Sequence, residues 1–177
     1  MKADDLKSIQ GPFKERYRED PNAAVITLKA RGRVGEGITC KVETGQAVID
    51  AGLHPATGGN GLTACSGDML LEALVACAGV TLGAVATSIG VTIRKGTVLA
   101  EGDLDFRGTL GVSKEAPIGF KHIRLSFDLE TDAPDDQVAT LIRLTERYCV
   151  VYQTLLRSPE ISVSRAATVA VDSGSAA

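Results

Sequence analysis

The sequence has 177 residues, which is long enough for one domain with a substantial core and short for two independent domains. Hydrophobic residues make up 44% and charged residues 23%, as in ordinary globular proteins. The formal net charge is -3, because 22 acidic side chains outweigh 19 basic ones. Proteins that bind nucleic acid carry a basic patch or stripe, so this balance argues against nucleic acid as a partner.

The first 22 residues are polar and charged, and we predict that they form an arm or short helix ahead of the fold. They contain no apolar stretch of the kind that directs secretion, which indicates a cytoplasmic protein. In that reducing compartment, the four cysteines are expected to be buried, catalytic or redox-active, without a structural disulfide framework. The single domain is predicted over residues 23–172, followed by a frayed tail at 173–177.

Alternating apolar residues predict a three-stranded antiparallel meander at the start of the domain, formed by segments 23–32, 37–43 and 45–51. The stretch that follows is rich in Gly, Pro, Asn and Thr, which is typical of an irregular loop. Ser66 is a suitable N-cap for the helix that comes next.

A long apolar helix is predicted over residues 67–88, since leucines, Cys77 and small residues recur there at spacings of three or four. Residues 73–93 carry no charge and match the length of a membrane span. Their Ala, Gly, Thr and Ser content favours instead a core helix covered on nearly all sides, and no membrane contact. Gly79 and Gly83 stand four residues apart, a spacing that predicts the close approach of a second helix.

Two alternating segments, 91–108 and 120–131, predict long strands separated by a loop. A second helix is predicted to begin near Pro134 and to reach Cys149, and residues 160–171 are typical of a last strand. This order of elements predicts an α+β fold with a largely antiparallel sheet. One chain has few elements to cover so apolar a helix, so we expect an intertwined homodimer in which sheets of both chains enclose the central helices.

Cys77 lies in the predicted central helix, and Cys149 follows 72 residues later near the second helix. A thiolate can attack the O–O bond of a peroxide, and a nearby cation or helix N-terminus favours the thiolate form. Taken alone, each cysteine is more simply a small buried hydrophobic residue. The residues by themselves leave both interpretations open.

The segment SGDMLLEALVACAGVTL, followed about seventy residues later by ERYCVVYQTL, resembles the OsmC/Ohr family of hydroperoxide-reducing proteins. In that family a meander with a Gly-Arg step precedes an acidic residue at the start of a long apolar helix. The first cysteine lies in that helix, and the second opens a later helix. This sequence has Arg-Gly-Arg at 31–33 and Asp68 nine residues before Cys77, and the element order agrees over 23–171.

The resemblance implies an OsmC-like fold and a thiol peroxidase that reduces organic hydroperoxides, with hydrogen peroxide as a further candidate substrate. Cys77 is implied as the attacking thiol and Cys149 as the resolving thiol. Peroxide would convert Cys77 to a sulfenic acid, which condenses with Cys149 to a disulfide that an external dithiol reduces. This chemistry needs no metal and no organic cofactor. Family members often have Pro after the second cysteine, where this chain has Val150.

The family also implies an arginine and a carboxylate that organise the thiolate. Arg33 is the first choice for the arginine, with Arg31 as its alternative. Asp68 is the first choice for the carboxylate, with Glu72 as its alternative. Relatives assigned to hydroperoxides have Glu ten residues before the cysteine, where this chain has Gly67.

The other candidate residues carry weaker signals. Cys65 could be an oxidisable loop thiol, and Cys40 alternates with apolar residues as a core residue of a strand does. His54 and His122 show no zinc-ligand spacing. The Gly-rich loop at 57–61 lacks the lysine of a phosphate-binding loop.

Two other functions stay open. One is a non-catalytic or redox-sensing protein of the same fold that binds a small apolar ligand in the dimer cleft, and Gly67 in place of the family glutamate favours it. The other is a thiol hydrolase, which requires a histidine base near Cys77, and neither histidine has a spacing that indicates one. The presence of both Cys77 and Cys149 favours the peroxidase.

Overall fold

The computed structural model of the chain describes residues 2–20, 31–34, 39–43 and 48–165. The elements, with a short 3₁₀ turn at Pro55–Thr57, are α1 (Ala3–Glu19), β1 (Arg31–Val34), β2 (Thr39–Glu43), β3 (Val48–Gly52), β4 (Ala64–Cys65), α2 (Ser66–Ile89), β5 (Ile93–Leu104), α3 (Phe106–Thr109), β6 (Phe120–Thr131), α4 (Asp135–Tyr148) and α5 (Val150–Leu156). For β1 and β2 the backbone alone is described. Helices and largely antiparallel strands share the chain, which confirms the α+β class.

The described strands form a four-stranded sheet in the order β1-β2-β3-β4 and a two-stranded sheet of β5 and β6. β1, β2 and β3 pair as the predicted antiparallel meander, and β4 adds parallel to β3. Most of the first predicted strand, 23–30, lies outside the described residues. β5 and β6 pair antiparallel from Ile93 opposite Thr131 to Leu104 opposite Phe120.

The ribbon of β5 and β6 has an apolar inner face and a charged outer face, because side chains alternate along each strand. Val98 of β5 and Phe127 of β6 point towards the core, where they pack on the buried residues of α2. On the outer face, Arg124 Nη2 donates to Asp103 Oδ1 at 2.9 Å, linking the two strands. Exposed ion pairs contribute little to stability, so the inner face is what attaches the ribbon to α2.

α2 begins one residue earlier than the sequence predicts. Cys65, with φ of -83° and ψ of 131°, occupies the N-cap and makes no side-chain capping hydrogen bond. Ser66 is the first helical residue, so its assignment as the N-cap is wrong by one position. The helix ends at Ile89, one residue beyond the predicted end, and Gly90 follows as the C-cap with a φ of 75°, in the left-handed region that favours glycine.

One side of α2 is packed and the other is open. Its buried side chains, Leu74, Ala78, Leu82, Val85 and Ala86, face β5, β6 and the C-terminal helices. On the opposite side Val80 is 77% exposed. One chain therefore leaves this side of α2 uncovered, and its cover by a second chain stays a prediction.

No helix crosses the glycine pair of α2 within the described part of the chain. A Cβ added at Gly79 would lie 3.9 Å from Cγ2 of Val98 on β5, and one added at Gly83 would meet no described atom within 4 Å. The predicted close approach of a second helix is thus wrong within one chain. Gly79 faces strand β5, and Gly83 faces no described atom.

α2 is the described helix whose length and apolar composition would suit a membrane span. Here it contacts α4, β5, α5 and α1. These contacts cover one side of the helix, and the absence of membrane contact stays a prediction.

The C-terminal half departs from prediction at its end. Pro134 occupies the N-cap position of α4 and makes no side-chain capping hydrogen bond. The helix starts at Asp135, close to the predicted position, and has two acidic residues in its first turn. Residues 160–165 form no regular element, so the predicted last strand is wrong there, because these residues pair with no described strand. The remainder of that segment, 166–171, and the predicted tail at 173–177 lie outside the described residues.

Candidate functional site

The chain breaks between α4 and α5 at Cys149, whose ψ of 110° is extended. Its N–H completes α4 by donating to the Thr145 carbonyl at 2.9 Å, and its carbonyl opens α5 by accepting from the Gln153 N–H at 3.0 Å. Cys149 is therefore the C-cap of one helix and the N-cap of the next. N–H groups in a first helical turn lack partners within their own helix, so those of α5 are available to other acceptors.

Cys77 lies in the middle of α2, on the side that packs on this junction. The backbone N–H groups of Val151 and Val150 and the Cys149 thiol lie near its sulfur, where they act as donors that stabilise the thiolate and lower the pKa of Cys77. The hydroxyl of Thr81, one turn further along α2, is a fourth donor. Two cysteines 72 residues apart in sequence thus lie within hydrogen-bonding reach, and both are free thiols.

The two thiols differ in how readily they ionise. Burial opposes ionisation of Cys77, but the four donors outweigh it and hold the pKa of Cys77 below its ordinary value. Burial raises the pKa of Cys149, and the adjacent Cys77 raises it further against the opposing N–H of Tyr152. In such a coupled pair the first proton leaves from Cys77, while Cys149 stays a thiol that donates to it.

The thiols sit in an apolar cluster. Cys149 is 1% exposed, whereas Cys77 is partly exposed. The hydrophobic residues packed around them are Leu74, Ala78, Val98, Ala100, Ile123, Leu125, Phe127, Val151, Tyr152 and Leu155. A groove of about 400 Å³ lies beside this cluster and shares Leu74, Ile123, Leu125, Phe127, Tyr152 and Leu155 with it. Lys121, His122 and Glu146 also line the groove, so a small molecule with apolar and polar parts has space beside the cluster that holds the two cysteines.

The predicted arginine lies where only backbone is described. Arg31 and Arg33 belong to β1, and their guanidinium groups fall outside the described part of the structure. Cys40 lies in β2, where the backbone alone is likewise described. The positions of these three side chains relative to the thiols stay predictions.

The predicted carboxylate lies away from Cys77 on the same helix. Asp68 precedes Cys77 by nine residues, which places it about 13.5 Å along the axis and about half a turn around the helix. It lines a separate cavity of about 160 Å³ together with His54 and Cys65. The alternative, Glu72, lines a surface groove between α2 and Leu99 of β5. Cys77 lines neither of these two cavities.

The remaining candidates have local roles. His54 Nδ1 accepts a hydrogen bond from the Ala56 N–H at 3.0 Å, and its ring stacks on Phe106 with centroids 5.1 Å apart. Cys65 is separated from Cys77 by about 18 Å of helix, so the two cannot form a disulfide within one chain. Among the described residues, no three or more His, Cys, Asp or Glu side chains group closely enough to hold a metal ion.

Two features of the site were absent from the sequence interpretation. Thr81 follows Cys77 by four residues and shares its side of α2, so helical spacing could have identified it. The N–H donors of Val150 and Val151 exist because the helix breaks at Cys149, and no glycine or proline in the sequence announces that break.

Comparison with known proteins gives one family. Residues 58–164 match the sequence model of the family described as OsmC-like protein. No curated protein matches the chain. The matched segment contains the whole of α2, the β5 and β6 ribbon, the α4 and α5 helices, and both thiols of the cluster.

Solved structures share the fold. The OsmC-like protein from Mycoplasma pneumoniae aligns with a TM-score of 0.64 and 16% identity, covering 75% of this chain and 89% of that one. An organic hydroperoxide resistance protein from Elizabethkingia anophelis with thiocyanate bound gives a TM-score of 0.59 and 18% identity, covering 76% and 91%. The organic hydroperoxide resistance protein OhrB of Bacillus subtilis gives 0.51 and 21%, covering 76% and 93%. At these identities the similarity establishes the fold alone, and it confirms the predicted OsmC-like architecture.

Proposed function

The chain belongs to the OsmC-like family, and on that premise we propose that it is a thiol-dependent peroxidase that reduces organic hydroperoxides. One observation carries the proposal: the partly exposed Cys77 packs in one cluster with the buried Cys149, whose thiol is among the donors that hold the pKa of Cys77 below its ordinary value. A lowered pKa supplies the thiolate that attacks peroxides, and an adjacent thiol supplies the group that resolves the product. Neighbours described as organic hydroperoxide resistance proteins support the same substrate class.

The proposed reaction has three steps. The Cys77 thiolate attacks the terminal oxygen of ROOH, the O–O bond breaks, and the departing alkoxide takes a proton to become the alcohol. Cys77 is then a sulfenic acid, and attack by the Cys149 sulfur forms the disulfide and releases water. An external dithiol returns both cysteines to thiols by disulfide exchange and is itself oxidised.

The order of these steps follows from the two pKa values. While Cys77 is a thiolate, its hydrogen bond and charge raise the pKa of Cys149 and keep the resolving thiol protonated. Oxidation of Cys77 to a neutral sulfenic acid removes that charge, so the Cys149 thiolate becomes easier to form. Resolution is therefore favoured only after the peroxide has reacted.

Arg33, with Arg31 as its alternative, stays in the proposal as the cation beside the thiolate. Asp68, with Glu72 as its alternative, stays as the carboxylate that orients it. Because Asp68 lies far from Cys77 on its own helix, its action at the thiols requires a second copy of this chain. The mechanism uses no metal and no organic cofactor, and we propose that it operates in the cytoplasm, where dithiol reductants are available.

A homodimer is part of the same proposal. The open side of α2 presents small and apolar residues, among them Ala73, Ala76, Val80 and Gly83, all of which are exposed in one chain. Small residues allow close packing, and exposing such a side to water is unfavourable. A second copy of α2 would cover this side as the predicted intertwined dimer requires.

A second candidate function is favoured by the groove of about 400 Å³ beside the cluster. In this alternative the protein binds a small apolar molecule, and the thiols serve as a redox sensor or have no reaction at all. Gly67, which stands where hydroperoxide-reducing relatives have glutamate, is consistent with it.

Titration of the fully reduced protein with cumene hydroperoxide separates the two functions. We expect rapid loss of both Cys77 and Cys149 thiols and a Cys77–Cys149 disulfide in the peptide map. Cys149→Ser should stop at a sulfenic acid that dimedone traps, and Cys77→Ser should lose the rapid reaction. The matched control, Cys65→Ser, should behave as the wild type. Unchanged thiols at excess peroxide would contradict the peroxidase and leave the ligand-binding alternative.

A further inference from the structure

The carbonyl oxygen of Glu146 has an unusual donor. In an uninterrupted helix this carbonyl would accept from the N–H of Val150, four residues later. Here it accepts from the side-chain amide of Gln153, with Nε2 at 2.9 Å. A carbonyl oxygen cannot donate, so the amide nitrogen of Gln153 is the atom that faces it.

The exchange of donors leaves the Val150 N–H without its helical partner. That N–H lies near the Cys77 sulfur instead, alongside the N–H of Val151, and both help to lower the pKa of Cys77. Gln153 is partly buried and sits on α5, so it joins the end of α4 to the start of α5 across the break. A single side chain therefore satisfies the carbonyl that would otherwise compete with the sulfur.

The local sequence does not force this break. Residues 135–156 contain neither glycine nor proline, the usual causes of an interrupted helix. A continuous helix through Cys149 would return the Val150 N–H to the Glu146 carbonyl and remove it from Cys77. Side-chain contacts must therefore stabilise the break. The Gln153 amide makes such a contact, because it donates to the Glu146 carbonyl.

We propose that Gln153 is a positioning residue, which holds the break at Cys149 open by donating to the Glu146 carbonyl and so keeps the Val150 N–H directed at the Cys77 sulfur. Its importance for catalysis rests on the proposed peroxidase function. Its effect on the Cys77 thiol does not, because a hydrogen bond to the sulfur changes ionisation whether or not a peroxide is reduced.

The test compares Gln153→Met with Gln137→Met. Methionine keeps the length of the side chain and removes the amide donor, and Gln137 is an exposed residue of α4 that serves as the matched control. The measurement is the pH profile of Cys77 alkylation by iodoacetamide, followed at that cysteine by mass spectrometry. Cys149 and Tyr152 are titratable members of the hydrophobic cluster around Cys77, and Lys121, His122 and Glu146 line the adjacent groove, so the profile of Cys149 is recorded in parallel.

We expect Gln153→Met to move the Cys77 midpoint upward by about one pH unit and to slow alkylation at neutral pH about tenfold, the effect of losing one hydrogen bond to a thiolate. Gln137→Met should leave the profile unchanged. Identical profiles for the two variants would overturn the proposal. A shifted midpoint in a protein that never reacts with peroxide would uphold the positioning role and reject the peroxidase.

A second measurement uses the unmodified protein, so it can be made even if Gln153→Met fails to fold. The backbone amide resonances of Val150 and Val151 are followed by NMR through a pH titration. Both should shift with the midpoint of Cys77, since an N–H that donates to the sulfur senses its ionisation. Amide resonances that stay constant through that midpoint would overturn the proposal.

Discussion

At the scale of single residues, the site depends on how hydrogen-bond donors are shared between two sulfur atoms. Cys77 and Cys149 lie in the same apolar cluster, and burial opposes the ionisation of each. Cys77 receives more donors, including the Cys149 thiol itself, so its pKa falls while that of Cys149 rises. A chemical asymmetry between two identical side chains thus arises from the backbone and hydroxyl groups placed around them.

The pH dependence of thiol reactivity follows directly. A thiolate is the reactive form, so each alkylation rate rises with pH through the pKa of its own cysteine. Cys77 should reach half its maximal rate below the pH expected for an unperturbed thiol, and Cys149 above it. Alkylation kinetics resolved by mass spectrometry measure both values in one experiment. A single shared midpoint would contradict the asymmetry.

Thr81 contributes one of the donors to Cys77. Thr81→Val keeps the shape of the side chain and removes the hydroxyl, so the Cys77 midpoint should rise by about one pH unit, as expected for one hydrogen bond to a charged sulfur. Thr87→Val is the matched control, because the Thr87 hydroxyl donates within α2 to the Gly83 carbonyl at 2.8 Å. An equal effect of both substitutions on the alkylation profile would show that the hydroxyl of Thr81 has no specific role.

At the scale of elements, the ends of α2 fix where Cys77 lies. The helix begins at the parallel pair of β3 and β4 and ends at Gly90, where the chain turns into β5. Cys77 falls near the middle, where α2 contacts both β5 and α5. A shift of either end would move the thiol relative to the donors at the start of α5.

Gly90 supports this arrangement through its backbone conformation. Its φ of 75° disfavours any residue with a Cβ, so Gly90→Ala should lower the free energy of unfolding by about 1 kcal/mol. Gly119→Ala is the matched control, since a Cβ there meets no described atom within 4 Å and the glycine has no positive φ. Urea denaturation measures both values. Equal stability of the two variants would argue against a strained left-handed position.

At the scale of the whole molecule, the open side of α2 is the main unsatisfied surface. Val80 is 77% exposed although it lies in the middle of the most apolar helix. The covered side already holds the thiols, so a second chain on the open side would complete the core without displacing the cluster. This division explains how one helix could serve both a reactive site and an interface.

Val80→Glu should therefore convert a dimer to monomers, because a charge in the centre of an apolar interface is costly to bury. Leu62→Glu is the matched control: Leu62 is 86% exposed but lies in the loop before α2. Sedimentation velocity measures the oligomeric state of both. A wild-type protein that sediments as a monomer would contradict the proposed assembly.

If Asp68 acts across that interface, the monomeric Val80→Glu variant should also lose peroxide reduction while Cys77 still alkylates. Full peroxidase activity in a monomer would exclude a carboxylate supplied by a second copy of the chain. Measuring both peroxide reduction and Cys77 alkylation distinguishes the loss of the dimer from the loss of a reactive Cys77 thiol.

The sequence alone determined the elements whose pattern is local. Strict alternation predicted β6 to the residue and most of β5, although the predicted strand 91–108 was wrong at its end, where α3 begins. The apolar run predicted α2, because helix and strand periods are recorded in neighbouring side chains. The motifs around Cys77 and Cys149 were sufficient to indicate the family. The errors also have local causes: Ser66 and Cys65 are adjacent candidates for one cap, and the alternating segment 160–165 pairs with no strand among the described residues.

The tertiary structure alone decided what happens between distant segments. Cys77 and Cys149 are 72 residues apart, and only the packing of α2 on the junction of α4 and α5 brings their sulfurs together. The break at Cys149 likewise has no glycine or proline to mark it in the sequence, and only the structure shows that α4 ends there and α5 begins. Periodicity records how a segment folds, but the energy of a contact depends on which surfaces meet, and that is settled only when the whole chain packs.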